Sequence, residues 1–206
     1  MSKDKSRKPQ EPVAAGKPQG LNYASLDTKY IARITGVLLA ICAVTALLLG
    51  VVNQITKPLI DAIQKEKTDA AMAQVLPADE YPKAETSAPG VTALYQAVSG
   101  GTQTGWVAET STSGSQGAID MMVGVDMDGK VTGVSVIKHS ETPNIGTKVV
   151  SDQSVLDKFV GMSQATGEIT VNSGANRFDG VTGATYSSKG VAAGVNAALA
   201  AVGALS

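Results

Sequence analysis

The longest stretch without a charged side chain constrains this chain most. It spans the 23 residues between Arg33 and Lys57, and nearly all of them are apolar. At about 1.5 Å of helix per residue, about 20 apolar residues cross a hydrocarbon core of roughly 30 Å. Residues 34–52 meet that requirement. The sequence therefore predicts a transmembrane helix over residues 31–54.

Basic residues precede this run, and Lys29 and Arg33 flank its N-terminal end. Cytoplasmic flanks of membrane helices carry an excess of Lys and Arg. Residues 1–30 are therefore predicted to be a cytoplasmic basic tail, and their prolines and lack of apolar periodicity are typical of a segment without a packed core. The rest of the chain is then exported, and the protein crosses the membrane once.

Two alternatives for the apolar run are an N-terminal signal peptide that is cleaved and a lipoprotein signal. A cleaved signal peptide usually has an apolar core of about 7–15 residues, and this run is longer. A lipoprotein signal would place a small residue before the modified cysteine. Ile41 precedes Cys42 instead, and the apolar run continues beyond it. An uncleaved anchor is the better interpretation.

The net charge of −1 hides an asymmetry along the chain. Residues 1–33 hold seven of the 17 basic and three of the 18 acidic residues, which leaves ten basic and fifteen acidic residues for positions 34–206. An acidic body repels phosphates, which argues against nucleic acid as a partner. With Cys42 and His139 as the only cysteine and histidine, the chain offers no internal disulfide, no cysteine cluster for an iron–sulfur centre and no His-based metal site.

The exported part divides into an amphipathic helix with a connecting loop, residues 55–90, and a domain, residues 91–206. Apolar spacing predicts helices over 56–74, 147–160 and 188–205. Alternation of apolar and polar residues predicts strands over 91–98, 106–112, 118–125 and 131–137, and a short strand is also predicted over 169–171. The Asp128-Gly129 pair predicts a tight hairpin between the strands 118–125 and 131–137. Strands in a run with helices set apart indicate an α+β domain with an antiparallel sheet and flanking helices.

The segment DGVTGATYSS, residues 179–188, is the most informative motif. Glycines and hydroxyl residues precede a predicted helix, whose first backbone N–H groups and dipole attract anions. A phosphate placed there would have the hydroxyls of Thr185, Ser187 and Ser188 within reach. The alternative is a cluster of hydroxyl residues that only caps the helix. The glycine spacing matches neither a nucleotide-triphosphate loop nor a dinucleotide fingerprint.

The same segment resembles the flavinylation motif of the FMN-binding domain in the G subunit of Rnf complexes and the C subunit of sodium-pumping NADH:quinone oxidoreductases. In that family a flavin transferase esterifies FMN phosphate to the last Thr of a Ser/Thr-Gly-Ala-Thr unit, which corresponds to Thr185 here. The other residues of the motif correspond to Asp179, Thr182, Gly183 and Ala184 here. Thr182 stands where Ser is commoner in the family. The stretch 139–146, HSETPNIG, resembles the family's His-x-Glu-Thr-Pro-Gly-Leu-Gly loop near the flavin. Asn144 replaces Gly there, and both residues tolerate left-handed backbone.

The order of the parts also matches the family, so the resemblance covers roughly residues 30–205, and the Rnf G subunit is the closer match because its sodium-pump counterpart is usually a longer chain. The possible phosphate site at the start of the last helix and the resemblance together predict the cofactor-binding residues. They are Thr185, Thr182, Gly183, Ala184, Tyr186, Ser187, Ser188, His139, Glu141 and Thr142. Trp106 and Tyr186 are candidates for stacking on the flavin ring, and Lys189 for neutralising phosphate charge. Met121, Met122 and Met127 are expected to be packing residues.

The resemblance implies an electron-transfer subunit in the cytoplasmic membrane of a prokaryote, with its N-terminus inside. It implies a complex that moves electrons between ferredoxin and NAD, coupled to sodium or proton transport, in which this chain is not catalytic alone. The implied partners are a polytopic flavin-bearing subunit, membrane iron–sulfur subunits and a flavin transferase during maturation. The alternatives are a related FMN-binding subunit of another extracytoplasmic electron-transfer or reductase system, and a binding or assembly protein whose motif is only a helix cap.

Overall fold

A computed structural model describes residues 28–205. Most of the predicted basic tail, residues 1–27, lies outside that range. The described residues up to Thr56 and those from Lys57 onward form two compact units. Helix α1 runs from Thr28 to Val75 and includes both the predicted anchor and the predicted amphipathic helix. In the described part of the chain, α1 is the one helix that is long and apolar enough to cross a membrane.

The predicted end of α1 at Leu76-Pro77 is confirmed. Proline lacks a backbone N–H and disfavours helical geometry in the residue before it. The hydroxyl of Tyr81 donates to the Leu76 carbonyl at 2.7 Å and accepts from the N–H of Ala78 at 3.0 Å. The chain therefore leaves the helix in a fixed turn and enters the sheet.

The sheet is an antiparallel meander of five strands whose spatial order equals their order along the chain. The strands are β1 (Lys83–Ala84), β2 (Val91–Ser99), β3 (Thr102–Ser113), β4 (Ala118–Asp126) and β5 (Val131–Lys138). The predicted hairpin is confirmed, because β4 pairs with β5 and Gly129 has a φ of 74° in the turn between them. β1 was not predicted, since a strand of two residues carries no alternating pattern.

The larger core lies between one face of the sheet and the C-terminal helix α4 (Thr185–Gly203). Met121 is buried on this face. Met122 points to the other face, where it packs with Met72 and Val75 of α1. Successive side chains of a strand alternate between faces, so adjacent methionines serve both layers. Met127 was expected to pack but is 62% exposed, because it lies in the turn of the hairpin.

The helix predicted over residues 147–160 is wrong as one element. The structure has α2 (Thr147–Val150), α3 (Gln153–Leu156) and a 3₁₀ turn (Asp157–Phe159). Asp152 is extended, and its carboxylate accepts from the N–H of Ser154 at 3.0 Å. An N-cap of this kind starts a new helix.

Two short strands complete the domain ahead of α4. They are β6 (Thr170–Val171) and β7 (Arg177–Phe178), which pair in parallel. Phe178 stacks on Phe159 with ring centroids 4.2 Å apart. This contact joins the segment before the DGVTGATYSS motif to the buried core, so the motif starts from a fixed point.

Candidate functional site

Helix α4 begins at Thr185, three residues earlier than predicted. Gly183 has a φ of 83°, the left-handed geometry that favours glycine, and the N–H of Ala184 donates to the Val181 carbonyl at 3.0 Å. This turn ends at Ala184, the N-cap residue, whose methyl group is buried. The side chain of Thr185 is therefore exposed in the first turn of the helix.

Among residues 28–205, no side chain caps this helix. The first N–H groups of an α-helix have no partner within the helix. Those of Thr185, Tyr186 and Ser187 meet no backbone or side-chain acceptor in the described part of the chain. The alternative of a hydroxyl cluster that caps the helix is therefore wrong, and the helix start presents donors and a positive dipole end beside Thr185.

Ser187 and Ser188 lie in the same turn but face the interior, with 1% and 0% of their surface exposed. Ser187 Oγ donates to the Glu141 carboxylate, and Ser188 Oγ accepts from the N–H of Val181 at 3.2 Å. Among the three hydroxyls expected near a phosphate, that of Thr185 is the exposed one. The two serines stabilise the turn through hydrogen bonds on its buried side.

Glu141 is 5% exposed and joins three segments. Its Oε2 accepts from Ser187 Oγ, and its Oε1 accepts from the N–H of Ser115 at 2.7 Å and of Gln116 at 3.2 Å. Burial raises the pKa of Glu141, but the hydrogen bonds from Ser187, Gln116 and Ser115 and the nearby His139 lower it by more, so the pKa lies below its ordinary value. The carboxylate is therefore held in its charged form.

The loop after Glu141 has the shape that the sequence predicts. Asn144, which stands in place of the family's glycine, has a φ of 62°, and its N–H donates to Thr147 Oγ1 at 2.9 Å. The carbonyl of the exposed Thr142 accepts from the N–H of Ile145 at 3.2 Å. His139 Nδ1 accepts from the N–H of Glu141 at 3.3 Å, and its Nε2 lies 3.4 Å from Ser151 Oγ. His139 therefore orders the start of the loop.

A shallow pocket of about 270 Å³ lies over the start of α4. It is lined by Ser115, Ile145, Gly183, Ala184, Thr185, Tyr186 and Ser187. Tyr186 and Ile145 are 76% and 52% exposed, so an aromatic and an aliphatic side chain flank Thr185 in solvent. The sequence reasoning missed Ser115 and Ile145. Ile145 was identifiable from its place in the 139–146 stretch, whereas no local signal marks Ser115.

The remaining candidate residues are not among those that line this pocket. Thr182 and Lys189 are exposed before and within the first turns of α4. Trp106 is on β3, where it packs half-buried against the large core and does not line the pocket. Asp179 forms a surface ion pair with Arg177 at 2.9 Å. Within residues 28–205, no group of three or more His, Cys, Asp or Glu side chains is placed to hold a metal ion.

Comparisons with known proteins identify the family of this chain. Residues 114–200 match the family described as FMN-binding domain. The G subunit of an ion-translocating oxidoreductase complex from Methanosarcina acetivorans is 32% identical over 84% of this chain and 95% of that protein. The chain belongs to the family of G subunits of ion-translocating oxidoreductase complexes. The family resemblance drawn from the sequence is confirmed.

Other relatives in this family differ in the ion that their names give. The G subunit of a sodium-translocating ferredoxin:NAD oxidoreductase complex from Acetobacterium woodii is 28% identical over 83% of this chain and 91% of its own length. A proton-translocating counterpart from Clostridium ljungdahlii is 31% identical over 84% and 92%. The crystal structure of Shewanella oneidensis NqrC aligns with a TM-score of 0.44 and 20% identity, over 55% of this chain and 61% of that one.

Proposed function

We propose that Thr185 carries FMN through a phosphoester and that the chain relays electrons as a subunit of an ion-translocating ferredoxin:NAD oxidoreductase. The observation that supports this most is the exposed Thr185 hydroxyl at the uncapped start of α4, inside a matched FMN-binding domain. FMN supplies reversible electron transfer when bound, and the protein supplies its attachment and surroundings. Thr185 is a tether in this proposal and takes no part in turnover.

The residues around Thr185 fit a phosphate. The N–H groups of Thr185, Tyr186 and Ser187 are the donors, and the helix dipole favours the negative charge. Lys189 follows Thr185 by four residues, so the two share one side of the helix, and Lys189 is the residue we propose to offset that charge. A Cβ on Gly183 would meet nothing within 4 Å, so the approach to Thr185 is open.

The pocket also fits a cofactor that exchanges electrons with a partner. Sites that enclose a small molecule usually measure about 300–1,000 Å³, and this pocket of about 270 Å³ is open. Tyr186 and Ile145 offer apolar contact to a flavin ring from two sides, and the open side leaves the ring accessible to another subunit. His139, Glu141 and Thr142 act through the loop that places Ile145.

The proposed topology puts residues 31–54 in the cytoplasmic membrane of a prokaryote, residues 1–30 inside and the FMN-binding domain outside. The one long apolar helix among the described residues and the family membership support a single-pass membrane protein. The partners we propose are a polytopic flavin-bearing subunit, membrane iron–sulfur subunits and, during maturation, a flavin transferase. The coupling ion is sodium or a proton, and the names of the relatives include both.

The proposal is tested on the full chain, matured together with a flavin transferase. We expect a Thr185 peptide heavier by FMN minus water in mass spectrometry. Thr185→Val should abolish in-gel flavin fluorescence with unchanged folding, because valine keeps the shape of threonine but has no oxygen to esterify. Thr185→Ser should retain the modification, and Thr92→Val, at an exposed threonine of β2, is the matched control.

Flavin fluorescence that survives Thr185→Val would place the attachment elsewhere. An unmodified wild-type chain from cells that contain the transferase would refute the electron-relay proposal itself.

A further inference from the structure

The Glu141 carboxylate is the most tightly confined charged group in the described residues that no role above uses directly. It receives one hydrogen bond from the first turn of α4, through Ser187, and two from the turn after β3, through Ser115 and Gln116. Ser187 and Glu141 are 46 residues apart in the chain. The carboxylate thus joins the turn that carries Thr185 to two other loops.

Close packing fixes this carboxylate from both sides. A Cβ on Gly114 would overlap Oε1, and a Cβ on Gly146 would overlap Oε2. The same added atom on Gly146 would lie 2.8 Å from Ser187 Oγ. Two positions without side chains therefore leave room for the carboxylate behind the helix start, and any larger residue there would displace it.

Glu141 does not face the pocket over Thr185. It is 5% exposed, whereas the pocket is lined by its partners Ser115 and Ser187. Three of the roughly four acceptor sites of the carboxylate are used within the protein, and its burial keeps it from contacting a ligand in the pocket. Its effect on the site must pass through the residues that it holds.

We infer that Glu141 is a positioning residue for flavin attachment, which holds the first turn of α4 so that Thr185 Oγ1 is presented to the transferase. The inference rests on the proposed attachment at Thr185. The donor is an activated flavin phosphate of the flavin dinucleotide class. The phosphorus–oxygen bond to Thr185 forms, the pyrophosphate bond breaks, a nucleoside monophosphate leaves, and the hydroxyl proton of Thr185 is released.

The test measures the rate of flavin attachment to the full chain in detergent, with purified transferase and flavin adenine dinucleotide. Glu141→Gln should lower this rate on the order of tenfold or more, since small misplacements of a reacting group are costly. Ser187→Ala should lower it in the same direction but less, because the backbone donors still hold the carboxylate. The double variant should be no slower than Glu141→Gln alone, since both changes break one network.

The matched control is Glu109→Gln, which makes the same chemical change at a half-buried glutamate of β3. Glu109 shares the sheet face of Val107, away from α4. A second readout needs no flavin: amide hydrogen exchange of the unmodified chains. Exchange should rise at residues 113–117 and 183–188 in Glu141→Gln and Ser187→Ala, and stay unchanged there in Glu109→Gln.

The possible results separate the positioning role of Glu141, the shared network with Ser187 and the proposed attachment at Thr185. Normal attachment to a folded Glu141→Gln chain would overturn the positioning role while leaving attachment at Thr185 intact. If the losses in attachment rate add up in the double variant, Glu141 and Ser187 do not act through one network. A wild-type chain that accepts no flavin at Thr185 would instead refute the proposed function, and the exchange data would then show only whether Glu141 holds the turn. If Glu141→Gln does not fold, Ser187→Ala decides the question by the same two measurements.

Discussion

Helices α1 and α4 are both rich in apolar residues, but their side chains meet different surroundings. The large apolar residues of α1 between Ile34 and Val52 are all exposed. In α4, 12 of 19 residues are buried against the sheet and the segments before the helix. The difference lies in side-chain size, since α1 carries Leu, Ile and Val where α4 carries mainly Ala and Gly. Bulky apolar residues without a protein partner suit lipid, and small ones let a helix approach a sheet closely.

The glycines of the two helices show the same contrast. A Cβ on Gly190 of α4 would lie 2.7 Å from the Ser113 carbonyl oxygen, and Thr112 Oγ1 donates to the Gly190 carbonyl at 2.8 Å. A Cβ on Gly50 of α1 would meet nothing within 4 Å. Close approach at Gly190 also brings the start of α4 to the turn that contains Ser115. The packing of this helix therefore builds the site.

The largest difference is expected when one charge is placed in each helix. Val195→Asp should unfold the domain at a cost of more than about 4 kcal/mol, because Val195 is fully buried and the charge would have no partner. Val51→Asp should leave the domain folded, because Val51 is 50% exposed, and should cost about 3 kcal/mol in membrane insertion. Urea unfolding of the domain and membrane fractionation separate the two effects. Equal loss of domain stability in both variants would contradict the contrast.

A smaller pair of changes adds one methyl group to each helix. Gly190→Ala should destabilise the domain by about 1–3 kcal/mol, since the backbone of β3 must move to admit the atom. Gly50→Ala should leave the unfolding of the domain unchanged. Chemical denaturation of both variants gives the comparison, and a stable Gly190→Ala domain would mean that α4 can shift away from the sheet at little cost.

Acid should weaken the N-terminal end of α4 through Glu141. Its pKa in the folded protein is lowered, mainly because the hydrogen bonds and His139 outweigh the opposing effect of burial. The stabilisation is therefore present above the unfolded pKa of about 4.3 and is lost as the pH falls through the folded pKa. The loss should be modest, because a protonated carboxyl can still accept some of these bonds.

The measurement is the difference in free energy of unfolding between wild type and Glu141→Gln as a function of pH. This difference should shrink as the pH falls below about 4.3. Glu109 gives a control of opposite sign, because burial and Asp120 raise its pKa despite Lys83. Its charged form is disfavoured in the folded protein, so the stability of wild type relative to Glu109→Gln should fall as the pH rises from about 4.3 through the raised folded pKa. The same pH trend for both glutamates would contradict the assignments.

The sequence predicts local parts of this protein well. The Asp128-Gly129 hairpin, the end of α1 at Leu76-Pro77 and the left-handed Asn144 each depend on a few neighbouring residues, and all three are confirmed. The start of α4 was placed at Ser188, where the run of small apolar residues begins, but the Gly183 turn lets the helix begin at Thr185. Local preferences predict the kind of element better than its first residue.

The parts that the sequence did not predict depend on contacts between distant segments. The motif indicated that Thr185, Ser187 and Ser188 share a turn, but burial of the two serines follows from the packing of α4 against the sheet and the 139–146 loop. The pair formed by Glu141 and Ser187 joins residues 46 positions apart, and Ser115 enters the network through its backbone N–H. Every residue except proline has a backbone N–H, so the identity of a residue does not show that its backbone will donate to a distant side chain.

The smallest expected effect concerns hydroxyl groups in the two helical environments. In α1, Thr45 Oγ1 donates to the Ile41 carbonyl and Thr56 Oγ1 to the Val52 carbonyl, at 3.0 and 2.8 Å. A helix in lipid satisfies a hydroxyl such as that of Thr45 within itself, and Thr56, just beyond the predicted anchor, does the same. Under α4, Thr110 Oγ1 of β3 is fully buried and has no hydrogen-bond partner in the described part of the chain. The sheet face that receives α4 therefore retains an uncompensated polar atom.

Thr110→Val should accordingly stabilise the domain by about 1 kcal/mol, because valine has the same shape and no buried polar atom to leave unpaired. Thr56→Val should not stabilise, since it removes a hydroxyl that already has a partner. Thermal unfolding of the two variants measures this contrast. A destabilised Thr110→Val would mean that the hydroxyl has a partner in solution, such as a buried water. The α4 interface would then be less tightly packed than the close approach at Gly190 indicates.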